Sequence, residues 1–80
     1  MTITENAVEK LVNWLKERPD AAEAFITDAG KRRDYMENLL DTECGAEVSG
    51  DAVRFDLGCA QPIVPYAVLE KAVWEALRAQ

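Results

Sequence analysis

The feature that most constrains the fold is a pair of short alternating segments separated by a Gly-Asp dipeptide. Residues 46–49 and 52–57 alternate apolar and polar side chains, which is the period of a half-buried strand. A glycine between two such segments is typical of a two-residue hairpin loop, because that loop requires a positive φ. The predicted cross-strand pairs are Ala46–Phe55, Glu47–Arg54, Val48–Val53 and Ser49–Ala52. The pattern therefore predicts a β-hairpin with one apolar face and one charged face.

The amino-terminal stretch predicts an amphipathic helix. Apolar residues recur there at helical spacing, and Thr2 and Glu5 have the spacing of a capping box, with Thr4 as a competing cap. A first helix is therefore expected over residues 4–18. Pro19 ends it, since the residue before a proline avoids helical dihedral angles.

A second helix is expected to follow at once, with Asp20 as its cap. Gly30 leaves two interpretations open. It ends the second helix as a left-handed cap, or it lies within one helix that continues to about Thr42. Continuity would place Arg33 on the buried face, so we favour a break near Gly30 and a third helix over residues 31–41.

The segment after the hairpin is expected to contain a connection and a final helix. Residues 58–65 include two prolines and are expected to be irregular, and Pro65 suits the first turn of a helix over residues 65–79. The prediction is thus an α+β fold with three N-terminal helices, a two-stranded antiparallel β-hairpin and one C-terminal helix. At 80 residues the chain is expected to form a single domain over residues 1–80.

Composition disfavours several classes of function. The chain contains no histidine, which removes Ser-His-Asp and Cys-His nucleophile systems and histidine-containing zinc sites. Its four glycines match neither a phosphate-binding loop nor a dinucleotide fingerprint, so we expect no enzyme, no metal and no cofactor. No signal peptide or membrane-spanning apolar run stands out, and a cytoplasmic protein without a membrane partner is expected.

The two cysteines, Cys44 and Cys59, are expected to be reduced core residues of a cytosolic protein. In the predicted hairpin register Cys44 lies opposite Leu57, and Cys59 lies on the diagonal beyond it. Diagonal partners are about 7 Å apart, which is too far for an unstrained disulfide. A disulfide would require the strands to separate after Leu57, and this alternative stays open.

The net charge of -6 is concentrated in one part of the chain. Residues 34–56 contain seven of the 15 acidic residues and one base, Arg54, whereas the rest of the chain carries eight acids and eight bases. The seven acids are Asp34, Glu37, Asp41, Glu43, Glu47, Asp51 and Asp56. The first three are spaced so that they line one face of the predicted third helix.

This acidic stretch has two interpretations. Such a run usually forms a solvated surface that aids solubility. Alternatively, carboxylates on a rigid frame can imitate a phosphate backbone and occupy the basic groove of a nucleic-acid-binding partner, with electrostatic attraction speeding the encounter. We take the seven acidic residues, together with Trp74, as candidate partner-binding residues.

A basic triplet, Lys31-Arg32-Arg33, begins the predicted third helix. Its side chains are expected either to pair with carboxylates on adjoining turns or to contact DNA phosphates. The candidate carboxylates are Asp28, Asp34 and Glu37. The order of three helices, a hairpin and a last helix resembles a winged helix, in which Lys31 would begin the recognition helix. A duplex would repel the acidic hairpin, so direct nucleic-acid binding is the alternative and not the main prediction.

Trp14 and Trp74 lie on the flanks of the apolar stripes of their helices. A flanking tryptophan most often seals the edge of a small core. Alternatively it anchors an interface, because large rigid aromatic side chains contribute strongly to binding. Trp74 can also stack with Arg78 one helical turn later.

Short length, an acidic surface carried by the seven residues above, one compact domain and no catalytic motif make this chain similar in profile to the small phage-encoded anti-CRISPR proteins. The resemblance implies a non-enzymatic inhibitor that binds a CRISPR effector subunit and hinders its engagement with target DNA. The alternatives are a winged-helix-like transcriptional regulator that uses the basic triplet, and a small accessory subunit that packs on a larger enzyme through Trp74. A monomer or a homodimer is expected, since a dimer burying part of the last helix would extend a small core.

Overall fold

The computed structural model of the protein describes residues 2–79, which form four helices and a three-stranded antiparallel sheet. In chain order the elements are α1 (Ile3–Lys16), α2 (Pro19–Thr27), α3 (Ala29–Cys44), β1 (Ala46–Ser49), β2 (Ala52–Phe55), β3 (Ile63–Pro65) and α4 (Tyr66–Arg78). The predicted α+β class is confirmed. The predicted two-stranded sheet is wrong, because a third strand joins the hairpin.

The start of α1 follows the predicted capping box. Thr2 Oγ1 accepts a hydrogen bond from the Glu5 backbone N–H at 3.1 Å, and Glu5 Oε1 accepts one from the Thr2 N–H at 3.3 Å. The box therefore makes Thr2 the cap in place of Thr4. Farther along the helix Leu11 and Leu15 are buried, so α1 packs its predicted apolar stripe inward.

The boundary between α1 and α2 differs from the prediction. Pro19 is the first residue of α2, and Arg18 is its N-cap without a side-chain hydrogen bond to the helix. Asp20, the expected cap, is already inside the helix. A proline at the first helical position has no N–H that needs a partner and has its φ set in advance, so α2 begins without a capping side chain.

The break between α2 and α3 lies at Asp28 and not at Gly30. Asp28 is extended, with φ -124° and ψ 109°, and its carboxylate accepts a hydrogen bond from the Lys31 backbone N–H at 3.1 Å. Gly30 therefore lies in the first turn of α3. The helix continues past its predicted end to Cys44, and Gly45 ends it in the left-handed conformation, at φ 61°.

The hairpin forms in the predicted register, with all four cross-strand pairs as expected. Gly50 has φ 60°, the conformation for which the loop favours glycine. β2 ends at Phe55 and does not reach residue 57. Beyond it the chain turns, because the Asp56 carboxylate accepts a hydrogen bond from the Gly58 N–H at 3.1 Å.

The third strand, β3, replaces part of the predicted irregular connection. It pairs antiparallel with β2, with Val53 opposite Val64 and Arg54 opposite Ile63. Three residues are too few to show an alternation, and proline is disfavoured in central strands. The prolines at and before β3 are tolerated because it lies at the edge of the sheet.

One cluster of buried apolar side chains joins the helices to the sheet. Its most deeply buried large members are Phe25, Phe55, Leu11, Leu15, Met36, Leu40, Leu69, Val53 and Val73. All four helices and the central strand contribute to this set. The outer face of the sheet carries Glu47 and Arg54 in solvent, so the sheet has one packed face and one open face.

Both cysteines are free thiols, and they differ in exposure. Cys44 is half-buried at the end of α3, and burial raises the pKa of its thiol above the ordinary value. Cys59 is exposed in the loop after β2. The prediction that both cysteines lie in the core is therefore wrong for Cys59, because β2 ends before the register could carry this residue onto the packed face.

Candidate protein-binding surface

The exposed side of α3 groups three of the seven predicted acidic residues. The helix is anchored in the core by Met36, Leu39 and Leu40. Asp34, Glu37 and Asp41 are all exposed, and at about 100° per residue they lie within an arc of about 60° on the side away from that core. We refer to these three residues as the acidic face.

The carboxylates of the acidic face differ in how far they are neutralised. Glu37 Oε1 accepts a hydrogen bond from Arg33 Nε at 2.9 Å and so forms an ion pair one turn along the helix. Asp34 and Asp41 form no ion pair within residues 2–79. The acidic face therefore keeps its negative charge mainly at Asp34 and Asp41.

The other four acidic residues lie elsewhere. Glu43 is on the opposite side of α3, where it lines a polar cleft against α1. Glu47 is on the open face of the sheet and pairs with Arg54, whose Nη2 lies 2.9 Å from Glu47 Oε2. Asp51 is in the hairpin loop, and Asp56 is in the turn after β2. The seven residues therefore do not share one surface, since Glu43 faces away from the acidic face. Asp51, however, lies near Glu37, because Arg33 bonds both Glu37 and the neighbouring Gly50 carbonyl.

Arg32 of the basic triplet is used inside the fold. Its Nε and Nη2 each donate a hydrogen bond of 2.7 Å, to the carbonyl oxygens of Phe25 and Ile26. These carbonyls end α2, where a cation is favoured by the helix dipole. The guanidinium carbon also lies 5.7 Å from the ring centroid of Trp74. Arg32 therefore bonds the carbonyls at the end of α2, and these two donors are not free to bind a phosphate.

Arg33 links α3 to the hairpin and to α4. Its Nη2 donates a hydrogen bond of 3.0 Å to the Gly50 carbonyl, and its guanidinium carbon lies 4.1 Å from the ring centroid of Tyr66. The hydrogen bond to Glu37 raises the pKa of Arg33 above its ordinary value. In the sequence, Arg33 conflicted with the apolar stripe of a continuous helix. The structure explains its position, because Arg33 contacts the hairpin and α4.

Tyr66 completes this link from the α4 side. Its backbone N–H donates to the Asp51 carbonyl at 2.7 Å, and its hydroxyl donates to a Glu70 carboxylate oxygen. Burial, and then the bond to Glu70, raise the pKa of Tyr66 well above the ordinary value of a phenol. The sequence pattern did not reveal this role of Tyr66, because Asp51 and Arg33 come from distant parts of the chain.

The predicted intramolecular pairing of the triplet is confirmed in part. Arg33 pairs with Glu37, but Asp34 pairs with none of the three bases. Asp28 bonds the Lys31 backbone and not its ammonium. Lys31 is exposed and forms no ion pair within residues 2–79, so it is the member of the triplet that stays available to a ligand.

Both tryptophans are half-buried and pack against the core, as predicted for flanking positions. Trp74 Nε1 donates to the Ile26 carbonyl at 3.2 Å, and the predicted stack with Arg78 is present at 4.4 Å. Trp14 stacks with Arg18 at 4.0 Å. Since the indole N–H of Trp74 already has a partner, its contribution to a protein interface would come from its exposed ring surface.

A groove of about 410 Å³ runs between α2 and α3 beside the acidic face. It is lined by Asp20, Ala21, Ala24, Lys31, Asp34, Tyr35 and Asn38. The sequence pattern did not reveal this groove, because Asp20 and Tyr35 belong to different helices. Tyr35 is half-buried and packs against the Trp14 ring with 6.1 Å between the centroids, so one wall of the groove is aromatic.

In comparisons with known proteins, no family model, curated protein or solved structure matches the chain. Within residues 2–79, no helix is both long and apolar enough to cross a membrane. The chemistry of the surface described above is thus the basis for a functional proposal.

Proposed function

We propose that this protein is a non-enzymatic inhibitor that binds another protein through the acidic face of α3. The observation that carries the proposal is the exposure of Asp34, Glu37 and Asp41 on one side of a helix whose other side is fixed in the core. A helix held in this way presents its carboxylates without a further cost of ordering the backbone.

The partner class is a protein with a basic groove for nucleic acid, of which a CRISPR effector subunit is the example implied by the resemblance described above. The three carboxylates are separated by about 4.5 and 6 Å along the helix axis, against one phosphate per about 3.4 Å of each DNA strand. Lysines and arginines that bind successive phosphates can therefore reach this row. Occupation of the groove would exclude the nucleic acid, and the negative field would speed the encounter.

The test compares two charge-reversal variants in an affinity capture from host lysate, followed by identification of the captured protein. The first variant is D34K/E37K/D41K. The matched control, E9K/E17K/E23K, reverses three exposed carboxylates outside the acidic face. We expect wild type and control to retain a nucleic-acid-binding protein that duplex DNA displaces, and the first variant to lose it.

Thermal melts establish that both variants are folded. This check is needed because E37K also removes the ion pair with Arg33. Equal retention of the same protein by all three forms, or a captured protein that nucleic acid does not displace, would contradict the proposal.

The DNA-binding alternative is less favoured, because two of its three cations have internal partners. Arg32 donates to the end of α2, and Arg33 donates to Glu37 and to the hairpin. A gel shift at low salt distinguishes the two functions, and we expect no shift at micromolar protein. The accessory-subunit alternative predicts that partner capture depends on Trp74 and hardly on ionic strength.

A further inference from the structure

The groove between α2 and α3 has the composition of a cation site. Asp20 and Asp34 line it from the two helices, Tyr35 contributes an aromatic wall, and small alanine side chains form part of the lining. Both carboxylates are exposed and form no ion pair within residues 2–79. Lys31 is the one base among the lining residues, which leaves the groove with a net negative charge.

The geometry points to this groove as the pocket that receives an arginine side chain of the protein partner. The inference rests on the proposed function, because Asp34 belongs both to the acidic face and to the groove. It adds the identity of the partner's anchoring residue and one contact, Asp20, that lies outside the acidic face.

Arginine fits the lining better than lysine for a physical reason. Its planar guanidinium can bond carboxylates in a fixed fork, can stack on an aromatic ring, and is more weakly hydrated than an ammonium. Two carboxylates contributed by different helices and a tyrosine wall offer both types of contact. The groove is open to solvent and has a volume of about 410 Å³, which leaves room for a guanidinium between the two carboxylates.

A substitution of Lys31 tests the proposal by a gain of arginine binding instead of a loss. Lys31 lines the same groove, and its ammonium has no ion-pair partner among the described residues, so its positive charge opposes the entry of a cation. Removing this charge in Lys31→Gln should therefore strengthen arginine binding, whereas a merely solvated pair of carboxylates would bind no cation specifically in either form.

The experiment is an NMR titration of the full chain with N-acetyl-arginine-methylamide and, as the matched probe, N-acetyl-lysine-methylamide. We expect saturable shifts of the backbone amides around Asp20 and Asp34 with the arginine probe, and weaker binding of the lysine probe. The variant D20N/D34N should weaken arginine binding about fivefold or more, as the loss of two exposed ion pairs implies.

Three further variants separate this pocket from the general field of the acidic face. E37Q/D41N removes two charges from the face but none from the groove and should bind the arginine probe nearly as wild type does. Tyr35→Phe keeps the ring and should bind, while Tyr35→Leu should lose the preference for arginine over lysine. Thermal melts of the Tyr35 variants establish that each is folded before its binding is compared.

Equal binding of the two probes, or arginine binding that survives D20N/D34N, would overturn the inference and leave the proposed function standing on the acidic face alone. Loss of partner capture in the Lys-reversal experiment tests the proposed function independently of the probe. Concentration-dependent shifts of the same amides without any probe would show that a second copy of the chain fills the groove, and would also overturn the assignment to a protein partner.

Discussion

The basic triplet and the acidic face are neighbours on α3, but the fold uses them in opposite ways. Both arginines of the triplet bond backbone carbonyls of other elements, at the end of α2 and at the hairpin loop. Asp34 and Asp41, by contrast, bond no base within residues 2–79. The two arginines therefore hold the helix in place, whereas Asp34 and Asp41 are left unpaired, among the described residues, at the surface that the helix presents.

In a cluster of charged residues, the side chains that bond other parts of the fold must therefore be distinguished from those that have no internal partner. Only the second group can be assigned to a binding partner. Arginine side chains are long and carry several donors, so they can reach carbonyls at helix and loop ends. Short aspartates on the outer side of the same helix reach no such partner. Variants that act on one group and not on the other show whether this division is real.

The largest effect is expected for Arg32→Ala. The substitution removes two charge-assisted hydrogen bonds to the α2 terminus and the contact with Trp74, and we expect a loss of about 2–3 kcal/mol in the free energy of unfolding. Urea denaturation followed by circular dichroism measures it. Lys31→Ala, an exposed substitution on the same turn, is the control and should change stability by less than about 0.5 kcal/mol. Similar losses in both variants would contradict the division.

A smaller effect is expected for Arg33→Ala, about 1 kcal/mol, because the Arg33 side chain is 37% exposed and its ion pair is screened by solvent. A double-mutant cycle with Glu37→Ala should give a coupling below about 0.5 kcal/mol. The remainder of the loss would then come from the Gly50 carbonyl and the Tyr66 ring. A coupling equal to the whole effect would mean that Arg33 serves mainly to neutralise the acidic face.

The sequence allowed the hairpin and the capping box to be predicted because their partners are close along the chain. Glu47 meets Arg54 across one tight turn, and Thr2 meets Glu5 within one helical turn. In each case the pattern names both members of the interaction. The break between α2 and α3 was harder, because Asp28 and Gly30 are both residues that often stand at helix ends, and the observed bond from Lys31 decides between them.

What could not be predicted depends on contacts between distant segments. β3 is recognised only by its pairing with β2, since Ile63 and Val64 carry no alternation of their own. The same holds for the site: the spacing of Asp34, Glu37 and Asp41 predicted the acidic face, but the groove requires Asp20 and Tyr35 from two helices. The internal roles of Arg32 and Arg33 likewise depend on carbonyls whose positions only the fold supplies.

The link between Arg33 and α4 can be probed through Tyr66. Burial raises the pKa of the Tyr66 hydroxyl, so the folded state holds this proton more tightly than the unfolded state does. The protonated hydroxyl therefore contributes to the free energy of unfolding. This contribution is fully present below the ordinary phenol pKa of about 10 and is lost as pH rises above that value. Tyr66→Phe should lose about 1 kcal/mol at pH 7, through the missing bond to Glu70.

The measurement is urea denaturation of wild type and Tyr66→Phe between pH 7 and 11. The difference in stability between the two proteins should shrink above pH 10, because only wild type loses the proton-linked contribution. Cys44→Ala is introduced into both proteins, because burial also raises the pKa of the Cys44 thiol. Titration of this thiol then does not contribute to the change of the free energy of unfolding with pH. A difference that stays constant up to pH 11 would contradict a protonated, buried Tyr66 hydroxyl.

The smallest effect on stability is expected where the proposed effect on binding is largest. Asp34→Asn with Asp41→Asn removes two carboxylates that bond no base in the described structure, and it relieves repulsion from Glu37 at spacings of three and four residues. The melting temperature should therefore stay the same or rise slightly, and the small difference should fade as salt screens the repulsion. Thermal melts at low and high salt measure this. A clear loss of stability would mean that the acidic face takes part in holding the fold, and the contrast with the basic triplet would then be wrong.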